Sequence, residues 1–246
     1  MIDTLWLIGI GTGSPAHVTG EGMAAIRDAS VILMPHKGQG KDDLAELRHR
    51  IIKASGSEAE IVPFDYPLRD ENLPYLERVE SWHDEIAKRW HAASDKNTPP
   101  GPVALLVWGD PSLYDSTLRI AQRLVPKPEI RVFPGVTSIQ ALTAAHAIPL
   151  NDINGPIHIT TGRRLRDEGW PEGVERVVVM LDGEAGFQQF QSEDMMIWWG
   201  AYLGMQEQIL DRGHISEAAE RIVATRKEAR ARHGWIMDTY LLSRNA

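Results

Sequence analysis

VALLVWGDPSLYDS, residues 103–116, joins a continuous apolar run to a loop of small and polar residues. The apolar run, VALLVW, is typical of a strand that is buried on both faces of a parallel sheet. The loop contains Gly109, Asp110 and Pro111. Ligands of open α/β sheets bind at the carboxyl ends of the strands, so we expect this loop to contribute to a binding site. By itself, the G-D-P sequence is equally compatible with a plain turn.

The same succession of strand, glycine-containing loop and helix occurs on both sides of this segment. LWLIGI (5–10) runs into the loop GIGTGSP (9–15), and IRVF (130–133) runs into FPGVTSIQAL (133–142). Weaker apolar runs also predict strands at SVILM (30–34) and EIVPF (60–64). Helical patterns occupy the intervening segments, at about residues 19–29, 41–54, 71–93, 114–125 and 137–147. We therefore predict a mostly parallel sheet covered by helices on both faces, with Thr19 capping the first helix.

The segment AIPLNDINGP (147–156) is rich in Pro, Asn and Asp and predicts a domain boundary. Four strands are predicted after it, at IHITT (157–161), RVVVML (176–181), MMIWW (195–199) and WIMDTYLL (235–242). A helix at about 216–233 has Ser216 as its candidate N-cap and Gly234 at its end. The sequence thus predicts two α/β domains, residues 1–150 and residues 151–246.

The composition excludes several classes of protein. No cysteine is present, so disulfides and thiolate chemistry are excluded, and no histidine spacing indicates a metal site. The net charge of −8 has the wrong sign for a nucleic-acid-binding protein, although a local basic pocket for a small anion is compatible with it. No apolar run is long enough to span a membrane, and the N-terminus lacks the features of a secretory signal. We therefore expect a cytoplasmic protein with a small-molecule substrate.

The first loop, GIGTGSP (9–15), has several interpretations at this point. Its three glycines allow a sharp turn and a close approach of the backbone to a ligand. A dinucleotide-binding fingerprint would have its third glycine one residue later and an acidic residue at the end of the next strand, which here ends in Met34-Pro35-His36. A nicotinamide-dependent oxidoreductase is an alternative that this spacing disfavours, and a plain structural turn is another.

Together, the three loops resemble those of the tetrapyrrole methylases, also called precorrin methyltransferases. The resemblance is carried by GIGTGSP (9–15) with the nearby Val18-Thr19, by GDPSLY (109–114) and by PGVTS (134–138), in matching order and at matching intervals. It covers essentially the whole chain. It implies two α/β domains with S-adenosylmethionine folded in the cleft between them, and a homodimer as the active form. One departure is G-T-G-S at 11–14, where members commonly have G-P-G-D in a loop that usually faces the substrate.

The resemblance also implies which residues bind S-adenosylmethionine and its product, S-adenosylhomocysteine. From the first domain they are Trp108, Gly109, Asp110, Leu113, Thr137 and Ser138, and the second domain completes the site with Met180, Leu181 and Gly200. From the residues alone, Thr137 and Ser138 are equally suited to cap the helix that follows them.

Within the family, three further segments resemble those of the deacetylating methyltransferases of cobalamin biosynthesis. These segments are MPHKG (34–38), MLDGEAGF (180–187) and WWGAYLG (198–204). Such an enzyme methylates precorrin-5 at C-1 and releases an extruded carbon as acetate, which gives precorrin-6A. The alternatives are a sibling methylase that acts at another carbon, a methylase of the diphthine synthase type, and a non-catalytic homologue that binds the cofactor.

Removal of an acetyl group requires a base that activates water and a donor that stabilises the oxyanion. The predicted catalytic residues are His36 as the first choice of base, Glu184 as the second, and Tyr114. Asp110 and Asp182 are further candidates. The ordinary alternatives are a surface histidine and carboxylates that shape turns.

Basic residues are expected around the substrate because precorrins carry many carboxylates. Arg163, Arg164 and Arg166 follow a predicted strand, and Lys37 and Lys41 follow another. Each of them is a candidate carboxylate ligand or an exposed solubilising charge.

Overall fold

The computed structural model describes residues 2–36, 42–94 and 99–244. The chain divides into two compact units, residues 1–137 and residues 138–246, and each contains its own β-sheet. The predicted boundary at 150/151 lies after the first helix of the second unit. That helix belongs to the second unit because it packs on two strands of the second sheet. In the described part of the chain, no helix has both the length and the apolar character needed to cross a membrane.

The first unit contains a sheet of five strands that are all parallel. In spatial order these are β3 (Glu60–Asp65), β2 (Val31–His36), β4 (Val103–Val107), β1 (Thr4–Gly9) and β5 (Glu129–Phe133). The central strand, β4, is buried along its whole length, as its continuous apolar sequence predicted. The α/β fold class and the parallel first sheet are therefore confirmed.

Helices cover both faces of this sheet. The described residues form α1 (Gly20–Asp28), α2 (Asp42–Ser55), α3 (Tyr75–Ser94) and α4 (Thr117–Ala121) around it. α1 packs against α2, and α3 packs against α4, so one pair lies on each face. On the α3 side, Ile86 and Trp90 belong to the same buried cluster as Leu7 of β1. The predicted cap is confirmed, because the Thr19 hydroxyl accepts a 3.0 Å hydrogen bond from the backbone N–H of Gly22.

The second unit contains a mixed sheet of five strands. In spatial order these are β6 (Ile157–Thr161), β7 (Arg176–Met180), β10 (Asp238–Ser243), β8 (Met196–Ala201) and β9 (Ile209–His214). β6 and β7 are parallel, and the other neighbouring pairs are antiparallel. The described helices of this unit are α5 (Ser138–His146), α6 (Gly162–Glu168) and α7 (Ile215–His233).

Details of the second unit differ from the sequence-based expectation. β9 was not predicted, because it is an edge strand whose residues are only half-buried or exposed. α6 was also not predicted, since its seven residues are too few to show a helical period. Ser216 was wrongly predicted as the N-cap of α7, which begins one residue earlier with His214 as its cap. The end of α7 at Gly234 is confirmed by the positive φ of +74° at that residue.

Candidate functional site

Three glycines meet at the carboxyl edge of the first sheet: Gly9 is the last residue of β1, and Gly109 and Gly135 lie in the loops after β4 and β5. A Cβ atom placed on Gly9 would lie 2.6 Å from the backbone N of Gly135, and one placed on Gly135 would overlap the carbonyl oxygen of Gly109. Two backbone hydrogen bonds also join Gly109 to Gly11, at 2.8 and 3.3 Å. The structure therefore brings the three predicted loops together, in the place where open α/β sheets bind ligands.

Asp110 links two of these loops through its carboxylate. Oδ2 accepts a 2.9 Å hydrogen bond from the backbone N–H of Gly135, and Oδ1 accepts bonds from the backbone N–H and the hydroxyl of Ser112 at 2.8 and 2.5 Å. Burial acts to raise the pKa of Asp110, but the bonds from Ser112 and Gly135 outweigh it, so the pKa is lowered. Asp110 is thus an ionised anchor between the loops, and its predicted contact with the cofactor stays a prediction.

The other predicted residues of the first unit surround this anchor. Trp108 and Leu113 are half-buried, as is Thr137, and a Cβ on Gly109 would lie 3.8 Å from the Cα of Thr137. Tyr114 has a positive φ of +50° and a side chain that is 43% exposed. A tyrosine held in this sparsely populated conformation is a reason to expect function at the loop.

His36 lies at the end of β2 and forms a pair with Asp65 at the end of β3. The distance from Nδ1 of His36 to Oδ1 of Asp65 is 3.0 Å, and both side chains are exposed. The two residues are direct partners in the register of the parallel strands. Sequence reasoning missed Asp65, because only the register shows that the two strand ends coincide.

In the second unit, Asp182 is buried and shapes the loop that follows β7. Its carboxylate accepts hydrogen bonds from the backbone N–H of Glu184 at 3.0 Å and of Gly186 at 2.6 Å, and from the hydroxyl of Tyr240 at 2.7 Å. Burial is the largest cause that raises the pKa of Tyr240, followed by the charge of Asp182. The contacts are those of a carboxylate that holds a turn, which is the structural alternative stated for Asp182.

The predicted cofactor residues of the second unit lie near this turn or on the sheet. Met180 is half-buried at the end of β7, and Leu181 is 65% exposed with a positive φ of +53°. The hydroxyl of Ser138 accepts a 2.9 Å hydrogen bond from that of Thr239. A Cβ on Gly200 would lie 2.6 Å from the end of the Leu203 side chain, so a larger residue there requires that side chain to move.

The predicted basic residues are partly engaged with neighbouring carboxylates. Arg164 forms a 2.8 Å ion pair with Glu168, and Arg166 forms one of the same length with Glu184. Glu184, the second choice of base, is thus paired on the surface. Lys37 and Lys41 lie outside the described residues. The proposed carboxylate-binding role of these residues stays a prediction.

Arg48 is a residue of the first unit that sequence reasoning missed. Its guanidinium carbon lies 4.9 Å from the centre of the Trp108 ring, next to the G-D-P loop. A signal was present, because Leu44, Arg48 and Ile52 are spaced four residues apart on one face of α2, and a charged residue on an apolar face is unusual.

Comparison with known proteins finds a matching family. A family model described as Tetrapyrrole (Corrin/Porphyrin) Methylases matches residues 4–219. The chain is 44% identical to a Sinorhizobium sp protein named precorrin-6A synthase [deacetylating], and the match covers 98% of this chain and 95% of the relative.

Two solved structures extend the comparison. One is a Corynebacterium diphtheriae protein related to cobalamin synthesis (CobF), which has a TM-score of 0.85 and 39% identity over 100% of both chains. The other is uroporphyrin-III C-methyl transferase from Thermus thermophilus, solved with S-adenosylhomocysteine, with a TM-score of 0.61 over 98% of this chain and 97% of that one. Its identity of 18% supports a shared fold alone.

Proposed function

The chain belongs to the tetrapyrrole methylase family, and we propose that it transfers a methyl group from S-adenosylmethionine to C-1 of precorrin-5, with release of acetate. The relative that is 44% identical over 98% of this chain carries the name of such an enzyme. A sibling methylase acting at another carbon is the alternative within the family, and the product formed distinguishes the two.

The observation that carries the cofactor part of the proposal is the joining of the three loops. Gly9, Gly109 and Gly135 pack backbone to backbone, and Asp110 connects the second loop to the third. Gly109 has no side chain and a φ of +62°, so its main chain faces Thr137 without obstruction. Such a surface suits a ligand recognised by backbone groups and by a few polar side chains.

The residues proposed to contact the cofactor are those implied by the family resemblance. From the first unit they are Trp108, Gly109, Asp110, Leu113 and Thr137, and from the second unit Ser138, Met180, Leu181 and Gly200. When bound, S-adenosylmethionine supplies an electrophilic methyl group. The task of these residues is to position the reactants and to exclude water, since the macrocycle itself supplies the electron pair.

For the removal of acetate, we propose His36 as the base and Asp65 as the residue that orients it. If Nδ1 of His36 donates its proton to Asp65, Nε2 has a free lone pair with which to accept a proton from water. The hydroxide attacks the acetyl carbonyl, the bond from that carbonyl to C-1 breaks, and the electron pair stays on the macrocycle. C-1 then attacks the methyl group, and the oxygen of water leaves in acetate. Tyr114 is the proposed donor to the oxyanion.

The homodimer implied by the family resemblance and the cytoplasmic location expected from the composition are part of the same proposal. Sedimentation equilibrium of the purified chain tests the first of these, with a mass of twice 27.5 kDa expected. A monomer at working concentration would contradict it.

The experiment that tests the cofactor part is calorimetric titration of the isolated protein with S-adenosylhomocysteine. We expect a micromolar dissociation constant and a matching increase in thermal midpoint. If saturating ligand gives neither heat nor a thermal shift, the methyltransferase proposal is wrong.

A further inference from the structure

Arg48 of α2 is half-buried and is held differently from two arginines of the second unit whose side chains are largely buried. Arg176 and Arg226 form 2.7 Å ion pairs with Asp152 and Asp238. Among the side chains that the structure describes, which do not include those of residues 42 and 43, no carboxylate forms an ion pair with Arg48. Its Nε and Nη1 donate to backbone carbonyls at 3.4 and 3.5 Å. These lengths are at the weak end for hydrogen bonds, so most of its five N–H donors are available to a ligand.

The guanidinium lies where two central strands separate. The pairing of β2 with β4 ends at Leu33 and Leu105, whereas β4 continues alongside β1 as far as Val107. Arg48 contacts two backbone carbonyls, and one of them belongs to Leu106, which follows Leu105 in β4. The helix that follows β2 in the sequence, α2, lies on one face of the sheet, and the helix that follows β4, α4, lies on the other. Such a point, where neighbouring connections diverge, is the crevice in which open α/β sheets bind ligands.

The surroundings hold the guanidinium in place without neutralising it by contact. Its carbon lies 4.9 Å from the centre of the Trp108 ring, in a cation–π contact. Burial lowers the pKa of Arg48, while the hydroxyl of Tyr66 and the carboxylate of Asp115 act to raise it. A half-buried cation in this state is stabilised by an anion that brings two oxygens to the fork.

We propose that Arg48 binds a peripheral carboxylate of the tetrapyrrole, with Trp108 as the platform that orients its guanidinium. This inference rests on the proposed function, since that function supplies a substrate rich in carboxylates. It also gives Trp108 a second role: in addition to its proposed contact with the cofactor, its ring supports the arginine that binds the substrate. Arg48 thereby selects for an anionic macrocycle at the β2 side of β4.

The test compares Arg48→Gln with Arg50→Gln, a control on the same helix that removes an exposed charge. For each variant, the KM for precorrin-5 and the dissociation constant of S-adenosylhomocysteine are measured. We expect Arg48→Gln to raise KM about tenfold or more with cofactor affinity changed less than about twofold, and Arg50→Gln to change neither. Arg48→Lys, which keeps the charge but not the fork, should fall between wild type and Arg48→Gln.

A second measurement does not require turnover and covers the case in which Arg48→Gln folds poorly. Binding of uroporphyrin III, a carboxylate-rich porphyrin, is followed by quenching of tryptophan fluorescence in the wild type and in Arg48→Lys. We expect saturable quenching by the wild type and weaker binding by the lysine variant. An unchanged KM in a folded Arg48→Gln protein, equal porphyrin affinities, or no binding by the wild type would overturn the inference. If the wild type does not bind S-adenosylhomocysteine, the proposed function is refuted instead.

Discussion

Oδ2 of Asp110 accepts a 2.9 Å hydrogen bond from the backbone N–H of Gly135, which lies 25 residues further along the chain. A side chain of the loop after β4 thus holds the main chain of the loop after β5. Because the acceptor is a carboxylate, this bond is stronger than one between neutral groups. It joins the loops that contain Gly109 and Thr137. The geometry of the proposed cofactor site therefore depends on the charge of one residue.

Replacing Asp110 by alanine removes this link and should weaken the binding of S-adenosylhomocysteine by about 1–3 kcal/mol. The half-buried backbone N–H of Gly135 would lose its partner, and the two loops would lose their fixed spacing. Calorimetry on the folded variant measures the change. Asp28→Ala, which alters only an exposed pair with Arg27, is the control and should bind like wild type. If the affinity of Asp110→Ala is also unchanged, the G-D-P loop is only a turn.

The lowered pKa of Asp110 predicts how this contribution depends on pH. A carboxylate with a lowered folded-state pKa stabilises the protein above its unfolded pKa of about 3.9, and the effect is lost as pH falls through the folded pKa. Asp110→Asn should therefore have a lower thermal midpoint than wild type near neutral pH. The difference between the two proteins should shrink as the pH is lowered through about 4 and below. A difference that stays constant over this range would show that the charge of Asp110 makes no contribution.

Gly135→Ala tests whether the loops must touch through their backbones. A Cβ at this position would overlap the carbonyl oxygen of Gly109, so one of the loops has to move. We expect a loss of roughly 1–3 kcal/mol in the free energy of unfolding, together with weaker cofactor binding. Gly20→Ala is the matched control, because it has open space and lies in α1, where alanine is at least neutral. Similar unfolding curves for the two variants would contradict the close packing of the loops.

The parallel sheet of the first unit was predictable because both of its faces are covered. Strands in that position are continuously apolar, and β4 shows this over its full length. The same rule explains why β9 was missed, since an edge strand of a mixed sheet alternates between partly buried and exposed residues. Short elements such as α6 also escape detection, because hydrophobic periodicity needs several turns to be visible.

The residues of the candidate site were predictable where they lie together in one segment of the sequence. They were not predictable where residues from distant segments come together in the fold. The G-D-P loop and Thr137 follow apolar strands directly and could be placed at a strand end from sequence. The pairing of His36 with Asp65 depends on the register of two strands 29 residues apart. The position of Arg48 over Trp108 depends on how α2 packs on the sheet, which local sequence does not determine.

The pair of His36 and Asp65 predicts a separation of acetate release from cofactor binding. His36→Asn should suppress acetate and methylated product together, by about 100-fold for the loss of a general base, while S-adenosylhomocysteine binds normally. Asp65→Asn should reduce the rate less, because the imidazole remains and loses only the carboxylate that orients it. Glu184→Gln is the comparison, since that carboxylate is paired with Arg166. Wild-type rates in variants of both His36 and Glu184 would show that neither residue is the base.

The central claim is tested most directly by incubating the purified chain with precorrin-5 and S-adenosylmethionine and measuring the tetrapyrrole mass together with free acetate. The expected result is one added methyl group, loss of the acetyl group and one acetate for each methyl transferred. A methylated product that retains its acetyl group, with no acetate formed, would contradict the claim and would show that the chain is a sibling methylase acting at another position.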